Sequence, residues 1–396
     1  MQGPQHAALS VGQGIAIIFG TNIGAGLLSL PYAARNGGFL SLCLALILAG
    51  TLTTICMLFI AEVSLRTKED MQISALAEKY LGNTGRWCVF AAVIINAIGA
   101  LTAYASGSGL ILHDILKLPA WVGSIAFFAL GSYIMYKGLQ ATGRAEAAVT
   151  IGMAVIIFAL SAWTLIGPGI ALSNLAVFRP YYIVPIMNLA VFSFMAQYVV
   201  PELARGLSQS HPKAIPHAII GGMIAAGFTL ALVPFVALGL LGMDVSEVAT
   251  VAWGEALGPV AYYLANIFAV LAMFTSFMAI GYTAMRNILN VTHWPEHGVS
   301  RFWALGLTVL PPLVISALGL SGFADALGYA GGFAGAIMLS IPVFLLRAAR
   351  RHGDEEPAWQ VTWQAHPAIQ FLLLVFAIVV LCYSIGMVFD WLPKGW

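Results

Sequence analysis

Gly20-Thr21-Asn22-Ile23-Gly24-Ala25-Gly26 interrupts an apolar, uncharged stretch that runs from about residue 8 to 34. Three glycines in seven residues, with Thr and Asn among them, weaken a helix. The interruption falls in the middle of a segment long enough to cross a bilayer, which takes about 20 residues. Unwound backbone at that depth is tolerated only against protein or a wet cavity. A break here exposes amides at the start of the following half-helix, near Gly24, Ala25 and Gly26. It also exposes carbonyls at the end of the preceding half, near Phe19 to Asn22. The amide end attracts an anion such as a carboxylate, and the carbonyl end an ammonium or a metal ion. An α-amino acid offers one group of each kind. The same run, with Gly20 and Gly24 four apart, also suits close packing of two membrane helices.

The rest of the chain fixes the setting. Of 396 residues, 60% are hydrophobic and 8% charged, against about a quarter charged in soluble domains. Uncharged runs at 147–178, 214–243, 256–285 and 357–389 each exceed a bilayer crossing. Alternating ten-residue segments of a membrane barrel are absent. The expected fold is an all-α membrane protein of eleven transmembrane helices. They lie at roughly 8–34, 39–63, 87–112, 119–136, 145–167, 182–204, 215–241, 259–285, 302–319, 322–346 and 367–389. With the N-terminus cytoplasmic, thirteen of the seventeen Lys and Arg fall inside, and only Arg35, Lys117, Arg179 and Lys394 outside. That satisfies the positive-inside rule and places the C-terminus outside an inner membrane. The start, MQGPQHAALS, lacks the basic region and cleavage site of a signal peptide, so span 1 is expected to be retained. Cys43, Cys56, Cys88 and Cys382 lie in or beside spans and form no metal spacing.

Residues 1–396 read as a single transmembrane domain with an internal repeat. Spans 1–5 cover about 8–167 and spans 6–10 about 182–346, leaving an extra helix at 367–389. Five is odd, so the second block enters from the opposite side, as an inverted repeat. Pro31-Tyr-Ala-Ala-Arg35 is echoed by Pro201-Glu-Leu-Ala-Arg205 in the first span of each block. In span 6, Val191-Phe-Ser-Phe-Met-Ala-Gln-Tyr-Val-Val-Pro-Glu202 carries Ser193 and Gln197, and Pro201 cannot donate the bond a continuous helix needs. A proline kink is the plainer alternative; paired with span 1, a second broken helix is expected.

Gly20-Thr-Asn-Ile-Gly-Ala-Gly-Leu-Leu-Ser-Leu-Pro-Tyr-Ala33 resembles the span-1 signature of the amino acid/auxin permease and aromatic amino acid permease families. Both belong to the amino acid–polyamine–organocation superfamily. Pro201-Glu202-Leu203 and the loop Ile73-Ser-Ala-Leu-Ala-Glu-Lys-Tyr-Leu-Gly82 look similar too. The resemblance implies a secondary transporter in which spans 1 and 6 bind substrate at the midplane and two bundles rock for alternating access. It also implies a sodium site. The Ala272-x-x-Thr275-Ser276 pattern of span 8 would supply the Ala272 carbonyl and two hydroxyls, joined by the carbonyls of Gly20 and Ile23. Five oxygens suit a hard cation. Read without the resemblance, two adjacent hydroxyls in an apolar helix bond to the preceding turn. Span 5 lacks the lysine that some proton-coupled relatives place there.

Span 3 presents Asn96, Gly99, Ala103, Gly107 and Leu110 at helical spacing, with Tyr104 beside them. This face packs closely on a neighbour or leaves room for a ligand. Glu62, Glu146 and Glu202 sit toward cytoplasmic span ends and Asp325 near an outer end; no charge is at mid-depth, where one is costly and functional. The substrate side chain is therefore expected to be neutral. Its carboxylate would rest on Gly24, Ala25 and Gly26, its ammonium on carbonyls near Thr21, Asn22, Phe192 and Ser193. Phe194, Gln197, Asn96 and Tyr104 are candidates for the side-chain pocket. The expected function is symport of neutral L-amino acids with sodium as the co-transported ion and no cofactor. The alternative is a proton-coupled permease or exchanger using Glu202 or Glu62; a channel filter or pore stripe is absent. His293-Trp-Pro-Glu-His297 cannot form a two-histidine zinc face, because Pro295 breaks the helix. No nucleophile or phosphate-loop motif points to an enzyme, and the partners expected are the bilayer and the substrate, with no nucleic acid.

Overall fold

A computed structural model describes residues 9–137, 143–208 and 212–393, and these are helical throughout, with no strand. The first crossing is α1 (Val11–Asn22) and α2 (Ala25–Ala34), which meet at 55°. A capping box starts α1: Ser10 accepts from the Gln13 amide and Gln13 from the Ser10 amide. α3 (Phe39–Leu65) follows; it is apolar on every side, with its first half partly facing outward through Leu40, Ile47 and Leu48 and its second half buried. α4 (Ile73–Leu116) contains a kink at Gly82, where φ is +67. It separates a short helix over residues 73–81 from the third crossing, and only glycine takes that backbone without strain.

The chain continues through α5 (Ala120–Lys137), α6 (Gly143–Ile166), the short α7 (Leu172–Leu175), α8 (Ile183–Ser193) and α9 (Val200–Ser208). α10 (Ile215–Leu241), α11 (Ala249–Leu257), α12 (Pro259–Thr292) and α13 (Gly298–Ala317) come next. α14 (Phe323–Tyr329) joins α15 (Gly335–His352) through a π-helical segment, Ala330–Ala334, and α16 (Pro367–Val388) is last. Among the described residues eight helices are long and apolar enough to cross a membrane, nine with the bent α1–α2 pair. The two remaining expected spans fall on α5 and on the apolar stretch Ile151–Ile166 of α6, which do not reach that length and hydropathy. Glu146 lies where side chains are not described.

Packing partners repeat between the two halves. α1 packs on α10 as α8 and α9 pack on α3; α4 pairs with α5 as α12 pairs with α13. The cross-pairs α4–α13 and α12–α5 match, as do α4–α15 and α12–α6, and α3–α15 and α10–α6. Each of these pairs maps onto another when the first five crossings are exchanged with the second five, the arrangement an inverted repeat produces. Small residues allow the close approaches. A Cβ on Gly14 would stand 2.9 Å from Ala218, and one on Gly222 would stand 2.5 Å from Ile18, so α1 and α10 interlock by glycine facing a larger residue. Ile47, Ile224, Leu310 and Phe371 project outward, as lipid-facing residues do.

Candidate functional site

The first break is two residues long. Ile23 (φ −88, ψ 93) is extended, and Gly24 (φ −151, ψ −148) leaves helical space altogether before α2 begins. The last bond of α1 runs from the Ile23 amide to the Phe19 carbonyl, so the carbonyls of Gly20, Thr21 and Asn22 have lost the amides that would follow in a continuous helix. No side chain caps α2.

Three crossings meet at this break. A Cβ on Gly24 would lie 2.8 Å from the Ser276 hydroxyl of α12, and Tyr104 of α4, itself 1% exposed, is within hydrogen-bonding reach of Ser276. A phenol and a hydroxyl thus stand beside the exposed backbone at the start of α2. On the other side of α2, Gly26 is closed off. A Cβ there would stand 2.2 Å from the Ser193 Oγ and 3.1 Å from its Cα, so α2 and the end of α8 touch backbone to side chain. Ala25 is 1% exposed between them.

The other expected site residues divide. Asn22 is buried and donates to the Ile18 carbonyl (2.9 Å) and toward Met223 Sδ (3.4 Å), while its Oδ1 has no partner. Thr21 is exposed, its hydroxyl bonded to the Ile17 carbonyl at 2.8 Å, on the face of α1 away from Asn22. Asn96 and Gln197 are buried, each with a side-chain oxygen lacking a partner. Phe192 is half-buried beside Gly331 of the π segment. Phe194 does not join this group: its ring fills the space left by Gly50 of α3 and Gly227 of α10. The small face of α4 is a packing face. Gly99 admits the backbone at Ala326 and Ala330, Gly107 admits Phe323 and Met273, Ala103 is fully buried, and Leu110 is exposed at the end.

The second break lies within the expected stretch Val191–Glu202, but Pro201 does not make it. α8 ends at Ser193, residues 194–196 are irregular, and a 3₁₀ turn, Gln197–Val199, leads into α9. Pro201 is the second residue of α9, where a missing amide costs nothing because first-turn amides have no helical acceptor. The proline therefore starts a half-helix and does not break one. Ser193 donates back to the Leu189 carbonyl at 2.8 Å.

Of the proposed cation ligands, Ser276 stands at the break, one residue along the chain from Ile23 being Gly24, its contact. Thr275 donates to the carbonyls of Leu271 and Ala272, both at 3.1 Å, and Gly20 is half-buried on α1. A hydroxyl that donates to a carbonyl keeps its lone pairs, so these bonds are compatible with cation ligation. Among the described residues no cluster of His, Cys, Asp and Glu could hold a metal.

The profile of the tryptophan/tyrosine permease family matches residues 8–384. The chain belongs to that family. The sequence is 28% identical over 395 residues to a tryptophan-specific transport protein of Shigella flexneri, covering 92% of each chain. It is 29% identical over 355 residues to tyrosine-specific transport system 1 of Haemophilus influenzae, covering 85% of this chain and 87% of the relative. The fold is similar to that of a manganese transporter of Eremococcus coleocola, with a TM-score of 0.62 at 12% identity, over 97% of this chain and 88% of the other. Of the two families the sequence resembles, amino acid/auxin permeases and aromatic amino acid permeases, the match is not to the first; the chain is a membrane permease of the tryptophan/tyrosine family. It is a multi-pass membrane transport protein and not an enzyme.

In this permease the arginine-rich face is held by a network of charged groups. Glu62 of α3, without exposed surface, accepts from Arg66 (2.8 Å), from both Nε and Nη2 of Arg350 on α15 (2.8 and 2.9 Å), and from the Val361 amide (2.8 Å). Arg205 of α9 donates to the carbonyls of Thr67 and Glu69 and pairs with Asp70 at 3.1 Å. The segment 353–361 is strapped beneath α3 by the Asp354 amide on the Arg66 carbonyl (2.9 Å) and by the ion pair of Lys79 with Asp354. The sequence alone placed Glu62 near a span end but gave no sign of its two arginine partners, which are 4 and 288 residues away. Glu202, by contrast, is exposed. The π segment was also missed, although Gly331-Gly332 in mid-span was its signal: a Cβ on Gly331 would strike the Asn188 carbonyl and one on Gly332 the Ser384 hydroxyl.

Proposed function

We propose that this permease carries an aromatic L-amino acid, tryptophan or tyrosine, across the inner membrane by alternating access, as a sodium symporter. The observation that carries this reading is the meeting of Gly24, Tyr104 and Ser276 at the span-1 break. The substrate carboxylate rests on the amides of Gly24 and Ala25 beside the Tyr104 phenol, and the ammonium faces the freed carbonyls of Thr21 and Asn22. An indole N–H or a phenol buried in protein needs a partner. The buried, unpaired oxygens of Asn96 and Gln197 supply acceptors for it. Names of the relatives support the aromatic side chain, and the neutral pocket agrees with it.

Sodium is proposed at the carbonyl end of the same break, held by Ser276, Thr275 and the carbonyls of Ala272, Gly20 and Ile23. The N-terminus is proposed to be cytoplasmic, which makes the tied, arginine-rich face the inner one. A proton-coupled cycle is the second reading. It is favoured by the exposure of Glu202, whereas Glu62 is held by two arginines. Proteoliposomes loaded with potassium test all of this. Labelled tryptophan and tyrosine should accumulate when sodium is outside, and leucine and lysine should not compete. Accumulation driven only by an acid-outside gradient and lost in Glu202→Gln would replace sodium by the proton. No uptake of either aromatic amino acid under any gradient would refute the assignment of substrate.

A further inference from the structure

On the face opposite the arginine ties, the ends of α2, α8, α14 and α16 enclose a cavity of about 300 Å³. Tyr32 at its rim lies eight positions beyond Gly24, roughly 12 Å along α2, so the cavity is distinct from the midplane break. Its lining includes Arg35, Asp325 and Asn188 together with Tyr32, Tyr182 and Tyr383. Arg35 lies flat on the Tyr32 ring, 3.4 Å from its centroid, and one Nη donates to the Tyr32 carbonyl at 2.8 Å. That contact fixes the plane of the guanidinium and leaves its other donors unused; among the described residues Arg35 and Asp325 enter no ion pair. Asn188 is 1% exposed. Its Nδ2 donates to Ser384 (2.7 Å) and its Oδ1 has no partner. A buried acceptor left open is costly unless something fills it.

We propose that this cavity is a second binding site, at which the aromatic amino acid waits as a zwitterion before it reaches the break. Arg35, pre-oriented by Tyr32, takes the carboxylate as a planar fork. Asp325 takes the ammonium, and the Asn188 Oδ1 accepts one of its remaining protons. Tyr182 and Tyr383 flank the aromatic ring. The volume sits at the lower end of the range for small-molecule pockets, about 300 to 1,000 Å³, enough for one amino acid and too small for a peptide. The site discriminates by charge, and the midplane pocket by the ring. This inference rests on the proposed aromatic substrate.

The test uses two half-substrates against tryptophan uptake by right-side-out proteoliposomes. Tryptamine keeps the ammonium and lacks the carboxylate; indole-3-propionate has the reverse. Both should inhibit the wild-type chain from outside. Asp325→Asn should weaken inhibition by tryptamine by about fivefold or more, on the order of 1 kcal/mol, and leave indole-3-propionate unchanged. Arg35→Gln should do the converse, and Arg35→Lys should restore part of the loss. KM for tryptophan should rise in both variants while kcat is kept. If the wild-type chain takes up tryptophan but the two variants shift both inhibitors alike, or shift neither, the second site is wrong. If the wild-type chain takes up no tryptophan, the proposed function itself has failed, which is a different outcome.

Discussion

Arg35 and Arg205 occupy corresponding ends of the half-helices that follow the two breaks, yet they do different work. Arg205 is spent on the backbone of residues 67–70, beside a buried carboxylate that two more arginines neutralise. Arg35 rests on its own tyrosine and borders a cavity. One face of the molecule is bound together by charge and the other carries a cavity. The difference is set by a handful of side chains at the two ends. An alternating-access cycle requires such a difference to be reversible.

The largest effect expected from breaking this contrast is at Glu62. Removing a fully buried carboxylate leaves two arginines facing each other, and Glu62→Ala should cost about 3 to 5 kcal/mol. A thermal-unfolding scan in detergent should show it as a large fall in Tm. The exposed Asp325, replaced by Ala on the other face, should change stability by no more than about 0.5 kcal/mol. Equal shifts in the two variants would remove the distinction between the faces.

Arg205→Ala comes next. It loses charge-assisted bonds to two carbonyls and a carboxylate, worth about 1.5 to 3 kcal/mol for a bond to a charged group. Hydrogen exchange at residues 66–72 should accelerate, while Arg35→Ala leaves exchange at that segment untouched. Unchanged exchange in Arg205→Ala would mean that the loop is held by something else.

These ties show where sequence reasoning ends. The first break was legible because three glycines around Asn22 weaken a helix at mid-depth. The second lies in the expected stretch but has a different cause. Its break, at residues 194–196, contains neither glycine nor proline and is made by 3₁₀ tightening after Ser193, while Pro201 is a helix starter. Tyr104 and Ser276 were each visible as polar residues in apolar helices, but their pairing spans 172 positions and needs the fold. Phe194 was assigned to the pocket by proximity in sequence. The glycines that receive its ring, Gly50 and Gly227, lie on other helices. Local chemistry is written locally; contacts between helices are not.

The smallest effect expected concerns the strap at 353–361. Lys79 and the Lys68 amide hold the exposed Asp354 carboxylate below its ordinary range. A lowered folded-state pKa stabilises above the unfolded value, about 4, and the contribution disappears as pH falls through the folded one. Asp354→Asn should therefore leave Tm nearly unchanged at neutral pH, since exposed ion pairs are weak. A large loss at neutral pH would make the strap a structural element and not a light latch.

The midplane break lies between these two faces and is where the substrate is proposed to bind. Gly26 cannot test this cleanly, because a Cβ there would press on Ser193 backbone and cost about 1 to 3 kcal/mol of packing. Gly24 can, since a Cβ there meets only the mobile Ser276 hydroxyl at 2.8 Å. Equilibrium binding of labelled tryptophan to Gly24→Ala, with Tm recorded on the same sample, is the decisive measurement. The expected result is an affinity lowered by about tenfold or more, on the order of 1.4 kcal/mol, with Tm close to wild type. Wild-type affinity in a folded Gly24→Ala protein would contradict a substrate carboxylate held at the break.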